Sequence, residues 1–211
     1  MKLWLIVPIK PFGEGKSRLA GVLPTSTRAT LNHQLFRHVI TQALASPILA
    51  GILVVSRDPA VLNGLEAPHL HFVAEQGHDL NQAIHQGRQE AVARGADALL
   101  VLPADLPRLR SRDISALYER SLAATGIVIV PSDDNGTNAL LLRPPHAINF
   151  AFGHNSFAHH CLAAQMANLP CVIVDSPHLR FDVDLPPDLA QLSSEQPYLS
   201  YTSASSPQPW R

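Results

Sequence analysis

Seven short apolar runs punctuate the chain, and most are apolar at nearly every position rather than at every second one. They are Leu3–Val7, Ile52–Val55, Leu70–Val73, Ala98–Leu102, Ile127–Val130, Ala139–Leu142 and Cys171–Val174. A strand with one wet face alternates apolar and polar residues; a continuous run fits a strand covered on both faces, as in a parallel sheet. Helical patterns lie between the runs. After Pro24, Thr25 or Ser26 is placed to cap a helix reaching about Ala45. Its apolar stripe steps through Leu31, Leu35 and Val39 and through Phe36, Ile40 and Leu44, and Pro47 stops it. A second helix is expected from about Asp79 to Arg94, punctuated by Gly95. A third starts near Arg112 and ends before Gly126, and a fourth starts near Asn155 or Ser156 and ends before Pro170. Strand–helix alternation of this kind reads as an α/β protein, a doubly wound, mostly parallel sheet with helices on both faces.

With 211 residues the chain suits one domain. No linker divides it. The expected boundaries are a domain over 1–192 and a polar tail over 193–211, where Ser, Pro, Gln and Thr offer little to bury. A net charge of −1 argues against a dedicated nucleic-acid binder. No apolar run approaches the roughly 20 residues of a membrane span, and the run after Met1 and Lys2 is too short for a signal-peptide core. Cys161 and Cys171 have no metal-finger spacing. The starting class is therefore a cytoplasmic α/β enzyme.

Three segments carry the strongest chemical signals. The first follows the first strand and holds Lys10, Gly13, Gly15, Lys16, Ser17 and Arg18. A glycine-bearing turn between strand and helix exposes backbone N–H groups to an anion, and three cations add to its pull. Gly15-Lys16-Ser17 invites a P-loop reading, but that pattern needs glycine at position 10, where Lys10 stands. Phosphate binding survives; the Walker loop does not. The second is Leu102-Pro103-Ala104-Asp105-Leu106-Pro107. An acid just after an apolar strand sits at the carboxyl edge of the sheet, where ligands bind and where a carboxylate can hold Mg²⁺ beside phosphates; a plain turn is the alternative. The third is Phe181-Asp182-Val183-Asp184-Leu185-Pro186. Residues two apart in an extended stretch share a face, so Asp182 and Asp184 form a carboxylate pair. Like charges that close favour a cation nearby. A helix-capping turn explains Asp184 but not Asp182.

Weaker signals follow. Asp134-Asn135-Gly136-Thr137-Asn138 makes a turn that presents Thr137 at the start of a strand. Phe152-Gly153-His154-Asn155-Ser156-Phe157 opens a helix, with Gly153 allowing close approach and Ser156 able to cap the helix or bind an anion. Gln76 and Asn81 lie between strand and helix, with Asp79 between them as a candidate N-cap; amide side chains there suit base or ribose hydrogen bonds. His159-His160-Cys161 does not make one chelating face, because adjacent helical positions point about 100° apart. His33 and His38 read as helix-surface residues.

Taken in order, these segments resemble the 2-phospho-L-lactate guanylyltransferase family of coenzyme F-420 biosynthesis, which includes the phosphoenolpyruvate and 3-phospho-D-glycerate guanylyltransferases. The resemblance rests on Val7-Pro8-Ile9-Lys10-Pro11 with Lys16-Ser17-Arg18-Leu19; on Leu102–Pro107; on Gly136-Thr137-Asn138-Ala139-Leu140; on Phe152-Gly153 with Ser156-Phe157; and on Asp182–Leu189. It covers about residues 3–190 and implies a single-domain, nucleotide-diphospho-sugar-transferase-like, Rossmann-like fold. It further implies Mg²⁺ on Asp105, Asp182 and Asp184, a phospho acid on Thr137, Gly153 and Ser156, and catalysis by Lys16 and Asp105. Lys10, Lys16, Arg18, Gln76 and Asn81 would face GTP. Asp134-Asn135-Gly136 departs from the more glycine-rich turn expected at that point.

The implied reaction moves GMP from GTP onto the phosphate of a three-carbon phospho acid and releases pyrophosphate. A phosphate with a second pKa near 6 is already largely ionised at pH 7, so positioning and charge neutralisation suffice. The expected partners are GTP and the acid, with no nucleic acid and no membrane; a homodimer is left open. The residues alone leave two alternatives: another nucleotidyltransferase of the same fold, acting on a sugar phosphate or a molybdopterin, and a catalytically silent nucleotide binder.

Overall fold

The computed structural model describes residues 1–77, 79–123 and 125–195. Among these residues seven strands form one sheet: β1 (Leu3–Pro8), β2 (Leu49–Ser56), β3 (Leu70–Ala74), β4 (Ala98–Val101), β5 (Gly126–Pro131), β6 (Thr137–Arg143) and β7 (Cys171–Ile173). Their order is β3-β2-β1-β4-β6-β5-β7. β6 alone runs antiparallel to its neighbours, pairing Leu100 with Leu141 on β4 and Val128 with Leu141 on β5. The other pairings are parallel. Each expected strand is present.

Burial on both faces explains the continuous apolar runs. In β1, Leu3, Leu5 and Val7 face one core while Trp4 and Ile6 face another. The first core is closed by α1 (Thr25–Leu44) through Phe36, Val39, Ile40 and Ala43, and by α3 (Ser111–Leu122) through Ile114 and Leu117. The second is closed by α2 (Leu80–Ala93) through Ala83, Ile84 and Ala91. Beyond it, α4 (Ser156–Met166) covers Ile127, Ile129, Leu140 and Leu142 through Ala164. Helices thus lie on both faces, as the sequence implies.

The helix ends bring two differences. Asp79 caps α2 as expected, accepting from the Gln82 N–H at 2.9 Å. Neither Thr25 nor Ser26 caps α1; the cap position is Pro24, with no side-chain bond, and the Thr25 hydroxyl instead accepts from Arg28 at 3.0 Å. Two short helices follow β7, α5 (Pro177–Arg180) and α6 (Pro186–Glu195). Ser193, Ser194 and Glu195 of the expected tail are in the last turn of α6; the rest of that tail, 196–211, lies outside the described residues. Among the described residues no helix is long and apolar enough to cross a membrane.

Candidate active site

Strand order reverses direction between β1 and β4, and the segments that follow these two strands meet at the carboxyl edge of the sheet. The Lys16 ammonium comes from the first segment and the Asp105 carboxylate from the second, in direct contact. The Asp184 carboxylate lies 3.4 Å from the same ammonium and 3.1 Å from the Arg18 guanidinium. Lys16 is left-handed, with φ 56°, a conformation a lysine keeps only when its surroundings hold it. The holding is visible: Arg28 donates to the Gly15 carbonyl at 3.2 Å, Asn32 to the Phe12 carbonyl at 3.3 Å, and Arg57 pairs with Glu14 at 2.5 Å. This loop differs from the expectation in one respect. Two 3-10 turns, Phe12–Glu14 and Ser17–Leu19, stand between β1 and α1, so no long helix N-terminus lies directly behind Lys16.

The paired aspartates are aimed by their neighbours. Phe181 and Val183 are buried with Leu19, Leu31, Leu35, Leu189 and Leu192, and the alternation of an extended chain turns Asp182 and Asp184 the other way. The capping role belongs to Asp188, whose carboxylate accepts from the Asp184 and Leu185 N–H groups at 3.0 and 2.6 Å. Asp184 keeps its own carboxylate for Lys16 and Arg18. Asn138 donates to Asp182 at 3.2 Å and to the Arg180 carbonyl at 2.9 Å.

One ligand atom from each of Asp105, Asp182 and Asp184 lies within 4.8 Å of the others. Burial, then the Asp105 charge, pushes the Asp182 carboxyl up to about 7, against the pull of Asn138. Burial disfavours the Lys16 charge, but Asp105 and Asp184 outweigh it and its pKa is raised. Three carboxylates crowded around one ammonium describe a site with more negative charge than its own lysine balances. Asp105 Oδ1 is buried with no hydrogen-bond partner among the described residues. An all-oxygen donor set with an unpartnered carboxylate oxygen fits a hard divalent cation such as Mg²⁺.

At the start of β6, the Thr137 hydroxyl lies 3.0 Å from Ser156 Oγ and 3.1 Å from His160 Nδ1. Ser156 neither caps α4 nor faces solvent: Asn155 holds the cap position, and the Ser156 hydroxyl is buried against Thr137. Gly153 has φ 132°, open only to glycine without strain, and its carbonyl accepts from the Ser156 N–H at 3.2 Å.

The sequence matches the family model described as "Guanylyl transferase CofC like" over residues 3–194. The chain belongs to this family. It is a guanylyltransferase, a nucleotidyltransferase whose substrates include a small-molecule nucleotide. A relative from Rubrobacter xylanophilus named phosphoenolpyruvate guanylyltransferase is 42% identical over 195 residues, 92% of this chain and 95% of that one. One of the same name from Sphaerobacter thermophilus is 39% identical over 91% of this chain and 93% of that one. Among solved structures, a putative nucleotide-diphospho-sugar transferase from Desulfovibrio desulfuricans G20 superposes with a TM-score of 0.74 at 20% identity, covering 97% of this chain and 92% of that one. A 4-diphosphocytidyl-2C-methyl-D-erythritol synthase gives 0.62 at 15%, covering 90% and 97%. These likenesses show the fold, a nucleotide-diphospho-sugar-transferase-like α/β sheet.

The candidate site thus gathers Lys16, Arg18, Asp105, Asp182 and Asp184 in one cluster and Thr137, Gly153 and Ser156 in another, linked through Asn138, which adjoins Thr137 and donates to Asp182. Lys10 and Gln76 are exposed. Asn81 is engaged elsewhere: its amide donates to the Phe152 carbonyl at 3.0 Å and accepts from the Phe152 N–H at 2.8 Å, pinning the segment that leads to Gly153. The departure at Asp134-Asn135-Gly136 also has a physical account. Asn135 takes the left-handed conformation itself, with φ 64°, and Asp134 accepts from Gly136 N–H at 3.2 Å, so asparagine performs the turn a glycine would. Sequence reasoning missed Asn138, Arg28, Asn32, Arg57, Asp188 and His160. Asn138 was within reach, since it adjoins Thr137, and so was Asp188, an acid in the first turn of α6 whose partners lie three and four residues before it; the others carry no local signal of the partner they meet. His33 packs on Phe12 and His38 bonds the Leu109 carbonyl at 2.9 Å, so neither is a simple surface residue.

Proposed function

We propose that the protein transfers GMP from GTP to the phosphate of a three-carbon phospho acid, phosphoenolpyruvate before 3-phospho-D-glycerate or 2-phospho-L-lactate, as a step of coenzyme F-420 biosynthesis. The observation that carries the reading is the meeting of the Lys16 ammonium with the Asp105, Asp182 and Asp184 carboxylates at the strand switch point. The names of the relatives favour phosphoenolpyruvate as acceptor.

Asp105, Asp182 and Asp184 would hold Mg²⁺, and the bound ion would offset the combined charge of the triphosphate and the carboxylates. Lys16 binds the departing pyrophosphate end and offsets the charge that develops there. Arg18, with 61% of its side chain exposed, can turn from Asp184 toward the triphosphate. Thr137 and the Gly153 segment hold the acid, and the loop pins at Arg28, Asn32 and Arg57 keep Lys16 in place. The attacking phosphate is largely ionised at pH 7, so the chain need supply no general base.

The test is pyrophosphate release from GTP and Mg²⁺ with each acid in turn. Release with phosphoenolpyruvate, lost in Asp105→Asn, supports the reading. Release only with a sugar phosphate, or with CTP in place of GTP, overturns it.

A further inference from the structure

His160 lies on α4, fully buried, with its ring edge-on to Phe152 at 4.9 Å between centroids. The Ala151 backbone N–H donates to Nε2 at 2.9 Å. A backbone N–H can only donate, so Nε2 carries a lone pair, and the proton of the neutral ring sits on Nδ1. Burial, then the neighbouring His159, keeps the ring neutral, with its pKa pushed down to about 4. Nδ1 lies 3.1 Å from Thr137 Oγ1, so the imidazole donates to the threonine. Ser156 Oγ lies 3.0 Å from the same oxygen; it is buried and its hydroxyl meets no other partner among the described residues, so its proton goes to Thr137.

Proton counting then fixes the outcome. A hydroxyl oxygen has two lone pairs and one proton. Both Thr137 lone pairs are filled by donors, so its own O–H can only donate to something else. Thr137 keeps 7% of its surface exposed, Ser156 1% and His160 none, so Thr137 is the member of the row that a ligand can reach. Its neighbour on β6, Asn138, holds Asp182, which puts this outward donor at the same sheet edge as the carboxylate cluster.

We propose that His160 is a positioning residue for the acceptor: its Nδ1–H fixes Thr137 as a permanent donor to an anionic group of the phospho acid. The inference rests on the guanylyl-transfer reading above for the identity of the acid. An unfixed hydroxyl offers a lone pair as readily as a proton, and a lone pair repels a carboxylate or phosphate. The row therefore selects anions over cations and over N–H donors.

Two substitutions separate donation from mere packing. His160→Asn places a carboxamide nitrogen near the Nδ1 position and keeps the donor; His160→Gln reaches the Ala151 N–H but leaves Thr137 without its donor. By calorimetry we expect phosphoenolpyruvate binding to weaken about tenfold or more in His160→Gln and Thr137→Val. His160→Asn should stay within about threefold of wild type, and GTP binding should be unchanged in all three. Nitrogen-15 NMR of the wild-type imidazole should show the Nδ1–H tautomer, which needs no variant to fold. An Nε2–H tautomer, wild-type binding in His160→Gln, or equal losses in His160→Asn and His160→Gln overturns the proposal. Wild-type protein that binds the acid as described but transfers no GMP leaves the row standing and defeats the transfer reading. Wild-type protein that binds no phospho acid defeats both.

Discussion

Replacing Lys16 by methionine keeps the length of the side chain and the left-handed backbone and removes only the charge. The Lys16 side chain is 4% exposed and Asp105 19%, so this is a buried pair. Breaking such a pair costs about 3–5 kcal/mol, because the remaining charge stays in place unpaired. Asp184 is 40% exposed, and its share is screened to no more than about 1 kcal/mol. Proton uptake by one of the crowded acids trims the loss. The net expectation is about 2–4 kcal/mol. At about 2–4 °C per kcal/mol for a chain of this size, the melting temperature falls by about 4–16 °C. The assay is thermal unfolding by circular dichroism, with and without Mg²⁺. A divalent cation replaces the missing ammonium in the variant but must compete with it in the wild type, so Mg²⁺ should raise the melting temperature more in Lys16→Met. A variant that melts within about 2 °C of wild type in buffer alone, against the expected fall, or an equal Mg²⁺ effect on both proteins, refutes the reasoning.

Stability should fall in mild acid through His160. The unfolded ring takes up a proton near 6.5 and the folded one only near 4, so its contribution is intact above about pH 6.5 and is lost as the pH falls toward 4. The loss is about 2 kcal/mol by pH 5; urea titrations at pH 7 and pH 5 should show it, and His160→Asn should abolish this component. Val183→Ala should cost about 2 kcal/mol by denaturant titration, and pyrophosphate release should fall further than stability, because Asp182 and Asp184 lose the anchor between them. Asn135→Ala should destabilise by about 1 kcal/mol through the left-handed residue while Asn135→Gly should not; calorimetric melts would distinguish them.

Much of the sheet could be read from the chain because β1 is buried on both sides: Leu3, Leu5 and Val7 serve one core and Trp4 and Ile6 the other, leaving a continuous apolar run. The acids were legible for a different reason. Asp105 follows such a run directly, and Asp182 and Asp184 sit two apart. The antiparallel direction of β6 leaves no mark in the run itself; it follows from the short connection at 132–136, too brief for a parallel crossover. Side-chain use was the least legible. Ser156 and Asn81 have the chemistry of ligand contacts, but the fold brings each a partner distant in sequence, Thr137 and Phe152, that no local pattern announces. His160 looked like part of an unproductive histidine pair because the features that matter, the Ala151 N–H and Thr137, arrive from other segments.

The reversed strand has a consequence for how such a site can be altered. Because β6 begins where the parallel strands end, the Thr137 cluster is written in one continuous stretch, from the turn before β6 to the first turns of α4. Lys16 and Asp105 are written earlier, after two other strands, and Asp182 and Asp184 later, beyond β7. Change confined to this middle stretch can reshape what rests against Thr137 while the segments on either side of it stay as they are. Under the proposed function, such a chain would acquire a new acceptor without relearning how to hold its nucleotide.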